Sequence, residues 1–264
     1  MINLRTAAEM DVIAHAGSII AGLMSELPER VTPGTSTGAI DAFAEEYIVS
    51  HRGAVPAFKG LYGFPGSVCI SVNEEVVHGI PSTHRILDEG DIVSVDVGVR
   101  LQGWYSDSAR TFRVGEVSGE AQRLLDVTER ALGDAIQASV PGGHVGDIGA
   151  AVMGAVRDSG LGIIRELVGH GVGRELHEPP QVPNVGRPGH GPLLREGMVL
   201  AIEPMLSAGD PAIRTLDDGW TVVTADRKLS AHFEHTVGIT ADGPRILTAV
   251  DGPVGAAMPG PTGA

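Results

Sequence analysis

Residues 87–96 read LDEGDIVSVD, and residues 194–203 read LREGMVLAIE. In this alignment, at an offset of 107 residues, Asp96 falls on Glu203. A second match has an offset of 108 and aligns Pro33, Gly34, Gly38 and Ile40 with Pro141, Gly142, Gly146 and Ile148. A common turn sequence before an apolar strand could explain one match. Two matches at nearly one offset predict an internal duplication, with a carboxylate from each copy facing the other.

The two copies define the expected organisation of the chain. We predict one domain over residues 1–250, with halves at about 1–116 and 117–250, and a flexible tail rich in Gly, Pro and Ala at 251–264. Apolar periodicity predicts helices over residues 6–26, about 36–50, 119–138 and 145–158. Alternation over residues 91–114 predicts a hairpin with its turn centred on Leu101 and Gln102. The fold class is therefore α/β, in the sense of α+β.

Composition excludes several classes of protein. The net charge of −14 argues against a surface for nucleic acid or an anionic membrane. The single cysteine, Cys69, excludes an internal disulfide framework and suits a reducing compartment. The N-terminus lacks a signal-peptide pattern, and we expect no apolar run of membrane-spanning length. We therefore expect a cytoplasmic protein.

Acidic residues stand inside apolar strands. Asp96 and Asp107 are expected to be opposed across the hairpin, where Cβ atoms lie roughly 5 Å apart. Two carboxylates at that distance need a proton or a cation between them. Each could instead be a solvated hairpin residue. However, VSVDVGV around Asp96, VLAIEPML around Glu203 and AHFEHTVGI around Glu234 indicate burial, which is costly for a lone acid.

Residues 169–178, GHGVGRELHE, add His170 and His177 behind a run of glycines. Four carboxylates balance two divalent ions, and one neutral imidazole leaves that charge unchanged. Carboxylates with an imidazole suit Mn, Fe(II), Co or Zn. Two such ions would acidify a shared water and polarise a carbonyl. The pattern favours a two-metal hydrolase.

Several segments together resemble the signature blocks of type I methionine aminopeptidase, in that family's order and over about residues 4–248. They are SVCISVNEEVVHGIP (67–81), DIVSVDVG (91–98), GWYSDSARTF (103–112), GHGVGRELHEPPQVPN (169–184), GMVLAIEPM (197–205) and GWTVVTADRKLSAHFEHT (219–236). The resemblance implies the pita-bread fold, which has a pseudo-two-fold with a curved antiparallel sheet and helices outside. It also implies two divalent metal ions (Co, Mn, Fe or Zn) and a nearby monovalent cation. The implied metal ligands are Asp96, Asp107, His170, Glu203 and Glu234.

The resemblance also implies roles for other side chains. Glu203 would transfer protons, His177 would stabilise the oxyanion, and His78 would steady the scissile amide or the leaving amine. The methionine pocket would be lined by Leu61 or Tyr62 and by Phe64, Cys69, Leu176 and Trp220. Two positions depart from the family's pattern, which often has an aromatic residue at Leu176 and Gln at His232. These departures put the shape of the pocket in doubt.

The implied function is removal of the initiator methionine when the second residue is small. Implied partners are nascent polypeptide N-termini and, transiently, the ribosome, and we expect a monomer. One alternative is a proline-directed aminopeptidase or prolidase-like enzyme, which usually carries an extra N-terminal domain. Another is a catalytically inactive pita-bread protein used for binding, which should have lost ligands.

Overall fold

A computed structural model describes residues 2–249 of the chain, so the tail predicted at 251–264 lies outside the described residues. Within residues 2–249 the four α-helices are α1 (Ala7–Glu26), α2 (Thr37–Ser50), α3 (Gly119–Ala138) and α4 (Val145–Val156). All four helices were predicted from the apolar periodicity. Local chemistry explains where they begin, since Thr6, Ser36 and Ser118 each accept a backbone N–H at the helix start.

The strands are short apart from one hairpin. They are β1 (Ala54–Pro56), β2 (Cys69–Val72), β3 (Glu75–Val77), β4 (Ile92–Leu101), β5 (Trp104–Arg113), β6 (Gly162–Ile163), β7 (Gly169–Gly171), β8 (Glu178–Val182), β9 (Val199–Ile202), β10 (Met205–Ser207), β11 (Ile213–Thr215), β12 (Val222–Thr224), β13 (Ser230–His232), β14 (His235–Thr240) and β15 (Gly243–Ile246).

Two larger sheets and two smaller ones form from these strands, and all pairs are antiparallel. The first large sheet has β4 at its centre, bonded to β1 and β2 along one edge and to β5 along the other. The second runs β15-β14-β9-β7-β8. The smaller sheets run β13-β10-β6 and β11-β12-β3.

The duplication is visible in matching hydrogen bonds. Gly34 N–H donates to Leu87 O at 2.8 Å, and Gly142 N–H donates to Leu194 O at 2.9 Å. The two glycines have φ angles of 87° and 86°, a left-handed conformation that glycine adopts without steric cost. The turn before α2 is thus hydrogen-bonded to the turn before β4, and the turn before α4 is hydrogen-bonded in the same way to the turn before β9. The predicted repeat of a helix–helix–sheet unit is confirmed at this level.

Each helix pair packs on its own sheet. Fully buried side chains of α1 and α2, such as Ile20 and Ile40, share a core cluster with β2 and β4. Side chains of α3 and α4, such as Leu124 and Ile148, share a second cluster with β9 and β14. Each of the two large sheets is therefore covered by its own helix pair.

The hairpin has the expected strands but a different register. Its turn lies at Gln102 and Gly103, with φ angles of 53° and 77°, so it is centred one residue later than predicted. Asp96 consequently pairs with Ala109, and Asp107 pairs with Gly98. The prediction that the two acids are directly opposed is wrong. A shift of two positions keeps both on one face, where they are diagonal neighbours.

The expectation that no apolar run has membrane-spanning length is also wrong. The segment Ala7–Glu29 contains an 18-residue stretch with a mean hydropathy of 1.2, so by length and composition alone it could span a membrane. In the structure, Ile13, Ile20 and Leu23 of this segment are fully buried. Residues of α1 contact β4 and β5, so the apolar residues of this helix contribute to the protein core.

Two glycines in α4 test the close packing of this helix. A Cβ on Gly149 would lie 2.6 Å from Val185 C and 2.7 Å from Gly186 N, whereas no described heavy atom would lie within 4 Å of a Cβ on Gly154. We expect Gly149→Ala to lower the free energy of unfolding by about 1–3 kcal/mol. Gly154→Ala, the matched control, should raise it by about 0.5–1 kcal/mol. Urea unfolding measures both, and equal effects would contradict the packing.

Candidate metal centre

The two large sheets meet at β5 and the start of β14, which brings two acids together. Ser108 Oγ donates to Glu234 O at 2.6 Å, and Glu234 N–H donates to Ala109 O at 2.8 Å. Thr236 Oγ1 accepts from Asp107 N–H at 3.0 Å and donates to Asp107 O at 2.7 Å. Asp107 and Glu234 are thereby fixed beside each other, with residues 4% and 2% exposed.

The second half supplies Glu203 and His170. His170 in β7 pairs with Ala201 in β9, two residues before Glu203. His170 Nε2 lies 3.6 Å from Glu203 Oε1 and 3.9 Å from Asp107 Oδ2. Ligand atoms of Asp107, His170 and Glu234 lie within 4.8 Å of one another. Asp96 lines the same cavity, so the five predicted ligands come together.

His170 is held in the tautomer that a metal ligand requires. Its Nδ1 lies 2.9 Å from Gly171 O, and because a carbonyl oxygen only accepts, Nδ1 carries the proton. Burial lowers the pKa of His170 to about 4, so the ring is neutral near pH 7. The lone pair of Nε2 therefore points toward the acids. A backbone hydrogen bond of this kind orients metal-binding imidazoles in general.

The carboxylates repel one another in a buried space. Burial raises the pKa of Asp96 to about 7, while a side-chain hydrogen bond with Asp107 acts in the opposite direction. Burial, followed by the charges of Asp96 and Glu203, raises the pKa of Asp107 well above its usual value. Burial and neighbouring carboxylates likewise raise the pKa values of Glu203 and Glu234. A cation among the four carboxylates would therefore stabilise their charged forms.

A divalent cation fits this donor set. Among the described residues, Asp96 Oδ1, Asp107 Oδ1 and Glu234 Oε1 are buried and have no hydrogen-bond partner. Such oxygens are costly unless they are paired or coordinate a metal. Oxygen ligands with an imidazole suit hard to borderline divalent ions.

The remaining predicted histidines border the same cavity, whose volume is about 280 Å³. The rings of His170 and His177 meet edge to face with centroids 4.5 Å apart. Burial lowers the pKa of His177. Burial and then the neighbouring His177 lower the pKa of His78, which follows β3 with a φ of 59°. His78 and His177 both line the cavity containing the acids.

An apolar pocket adjoins the acids. Phe64 and Trp220 stack edge to face at 5.2 Å, and Cys69 pairs with Asp96 across β2 and β4. Burial raises the pKa of the Cys69 thiol well above its usual value, so the sulfur is uncharged near neutral pH. Both residues predicted as alternatives line the cavity. Leu61 packs into the apolar cluster, whereas Tyr62 is 79% exposed and stacks on His177 at 6.3 Å.

Several cavity residues were missed by the sequence reasoning. They are Phe58, Val77, Leu167, Val168 and Met205. Phe58 stands in the glycine-flanked run that also supplies Phe64, which could have indicated it. Met205 follows Glu203 by two residues, so its position was also accessible from the motif.

A second unpredicted feature is a clasp beside His177, formed by Glu178 with the N-terminal residues Asn3 and Arg5. Glu178 Oε1 accepts from the N–H groups of Arg174 and Glu175 at 2.7 and 3.2 Å. Glu178 Oε2 accepts from Asn3 Nδ2 at 2.8 Å and pairs with Arg5 Nη2. The N-terminal segment thus reaches across the chain and fixes the loop beside His177. No local pattern could have indicated a contact over more than 170 residues.

The comparisons with known proteins agree with this geometry. Residues 11–241 match the model of metallopeptidase family M24. The methionine aminopeptidase of Clostridium perfringens is 51% identical over 250 residues, covering 95% of this chain and 100% of that protein. Methionine aminopeptidase 1 of Bacillus subtilis is 48% identical, with the same coverage of each chain.

A solved structure of methionine aminopeptidase from Thermotoga maritima superposes with a TM-score of 0.93 at 45% identity, covering 95% of this chain and 100% of that one. The Pyrococcus furiosus prolidase superposes with a TM-score of 0.75 at 24% identity, covering 94% of this chain and 66% of that one, which shows a shared fold. The expected fold and the resemblance to type I methionine aminopeptidases are confirmed. The chain belongs to the methionine aminopeptidases of metallopeptidase family M24.

Proposed function

We propose that this protein is a metal-dependent aminopeptidase that removes the N-terminal initiator methionine from nascent proteins when the second residue is small. The observation that carries the proposal is the convergence of Asp96, Asp107, His170, Glu203 and Glu234 on one cavity. An apolar pocket with aromatic faces and one sulfur adjoins them. Aromatic faces and a soft sulfur suit the thioether of methionine.

Asp96, Asp107, His170, Glu203 and Glu234 would hold two divalent metal ions, drawn from Co, Mn, Fe and Zn. When bound, such ions acidify water and polarise a carbonyl group. The number of ions is supported by charge, because four carboxylates balance two divalent cations. The resemblance also supports a nearby monovalent cation.

The protein's own side chains would handle the protons and the developing charge. Glu203, which lies at the cavity between His170 and His232, would take a proton from the attacking water and deliver it to the leaving nitrogen. His177 would donate a hydrogen bond to the oxyanion. His78 would steady the scissile amide. Phe64, Cys69 and Trp220 would receive the methionine side chain, and Tyr62 would border the entrance.

The alternatives have weaker support. The prolidase of similar fold is 24% identical, against 45–51% for the methionine aminopeptidases described above. A binding protein without activity should have lost ligands, and all five candidates are present.

We also propose the partners and the cellular location of this protein. The partners would be nascent polypeptide N-termini and, transiently, the ribosome, and the protein would act as a monomer. We infer a cytoplasmic location, because the single cysteine is buried and free, as suits a reducing compartment. The net charge of −14 argues against nucleic acid and an anionic membrane as partners.

Peptide cleavage distinguishes the three functions. With divalent metal, we expect release of methionine from a peptide beginning Met-Ala and much slower release from one beginning Met-Leu, because the proposed function requires a small second residue. Addition of a chelator should stop the release. Cleavage restricted to X-Pro bonds would favour the prolidase-like alternative, and no cleavage with any metal would favour the binding protein.

Asp107→Asn tests the charge balance of the centre. The variant removes one negative charge from a buried cluster, so we expect loss of activity. Metal affinity should fall by more than the roughly 10- to 100-fold typical when a group that only orients a ligand is changed. Calorimetry with Co²⁺ measures the affinity. The exposed Asp158 supplies a control, because Asp158→Asn should leave both quantities unchanged.

His177→Ala separates metal binding from rate. We expect the variant to keep its metals and to lose about 100- to 1,000-fold in kcat, the usual cost of one oxyanion donor. Metal analysis and peptide hydrolysis are measured on the same sample. A variant that cannot bind metal would show that the division between ligands and neighbouring catalytic groups is wrong.

A further inference from the structure

His232 is a buried histidine that the proposed mechanism does not use. It is 2% exposed, lines the cavity, and stands where the related family often has glutamine. Neither Nδ1 nor Nε2 has a hydrogen-bond partner among the described residues. A neutral imidazole carries one N–H and one lone pair, so two unpartnered ring nitrogens in a buried site require an explanation.

Hydrogen bonds hold the backbone of His232, so the fold places its ring in the cavity. His232 N–H donates to Thr111 Oγ1 at 2.9 Å, and Thr111 Oγ1 donates to His232 O at 2.9 Å. Thr111 is held in turn by Ser94, whose Oγ forms a hydrogen bond with Thr111 Oγ1 at 2.8 Å. On the other side, His232 pairs with Met205 across β13 and β10.

The ring of His232 lies close to two of the candidate metal ligands. His232 Nε2 lies 3.7 Å from Glu203 Oε2 and 4.0 Å from Glu234 Oε2. Both distances exceed the roughly 2.7–3.2 Å of an N–H···O hydrogen bond. Two donors that each lie about 2.0–2.2 Å from one ion stand roughly 2.8–3.8 Å apart at ordinary coordination angles. The distance to Glu203 Oε2 falls within that range, and the distance to Glu234 Oε2 is slightly longer.

The same spacing recurs on the other side of Glu203. His170 Nε2 lies 3.6 Å from Glu203 Oε1 and 3.9 Å from Asp107 Oδ2. Glu203 therefore presents one oxygen to each imidazole, as a carboxylate that bridges two ions would. Because a second neutral imidazole adds no charge, the balance of four carboxylates against two divalent ions is kept.

We propose that His232 is a second nitrogen ligand of the metal centre, so that each of the two ions carries one imidazole. The inference rests on the divalent-metal centre of the proposed function and adds a ligand to the five that the resemblance implies. It makes this centre richer in nitrogen than one with glutamine at the same position. Nitrogen donors favour the later divalent ions of the first transition row.

Cobalt loading tests the ligand directly. Protein stripped with a chelator is titrated anaerobically with Co²⁺, and ¹H NMR in water counts the strongly shifted, exchangeable ring N–H protons of metal-bound histidines. We expect two such signals in the unaltered protein at two equivalents, and one in His232→Gln. Calorimetry should show that one of the two ions binds at least about tenfold more weakly in His232→Gln.

His84→Gln is the matched control, because His84 is exposed and should leave both signals in place. The count in the unaltered protein needs no variant, and thermal melting verifies that His232→Gln is folded. One signal in the unaltered protein, with equal Co²⁺ affinity in His232→Gln, would overturn the second nitrogen ligand and leave the metal centre intact. Absence of Co²⁺ uptake by the unaltered protein would overturn the metal centre itself, and with it this inference.

Discussion

Mutual repulsion among four buried carboxylates is the constraint on which the site depends. Asp107 and Glu234 are almost fully buried, and the pKa values of all four acids are raised by burial. Without positive charge, the acids would favour protonation or separation. The sheets prevent separation, because hydrogen bonds from Ser108 and Thr236 hold the strands that carry them. Folding therefore creates a space that favours divalent cations.

The duplicated architecture explains how one chain holds such a cluster. Each helix pair packs on its own sheet, and the sheets meet where β5 lies beside β14. Asp96 and Glu203 come from equivalent positions of the two copies and line one cavity. The apolar cluster around Cys69 and Phe64 then supplies a pocket next to the acids. Strands from both halves thus position the candidate ligands, while loops supply His78 and His177.

Much of this arrangement was accessible from the sequence, for identifiable physical reasons. The helices follow from apolar periodicity and caps, and the duplication follows from LDEG and LREG before matched strands. The hairpin register was missed by two positions, since the Gln102–Gly103 turn requires two residues with positive φ that alternation alone does not locate. Alternation nevertheless assigned Asp96 and Asp107 to one face. The clasp between Arg5 and Glu178 and the position of the His232 ring depend on long-range packing, which periodicity cannot reveal.

We infer that these carboxylates converge because they bind divalent cations. Anomalous diffraction at the zinc edge, from crystals grown with Zn²⁺, tests it most directly. We expect anomalous peaks inside the cavity, about 2.0–2.2 Å from carboxylate oxygens of Asp107 and Glu234 and from His170 Nε2. A cavity without such peaks at saturating Zn²⁺, with the carboxylates turned apart or hydrogen-bonded to one another, would contradict it.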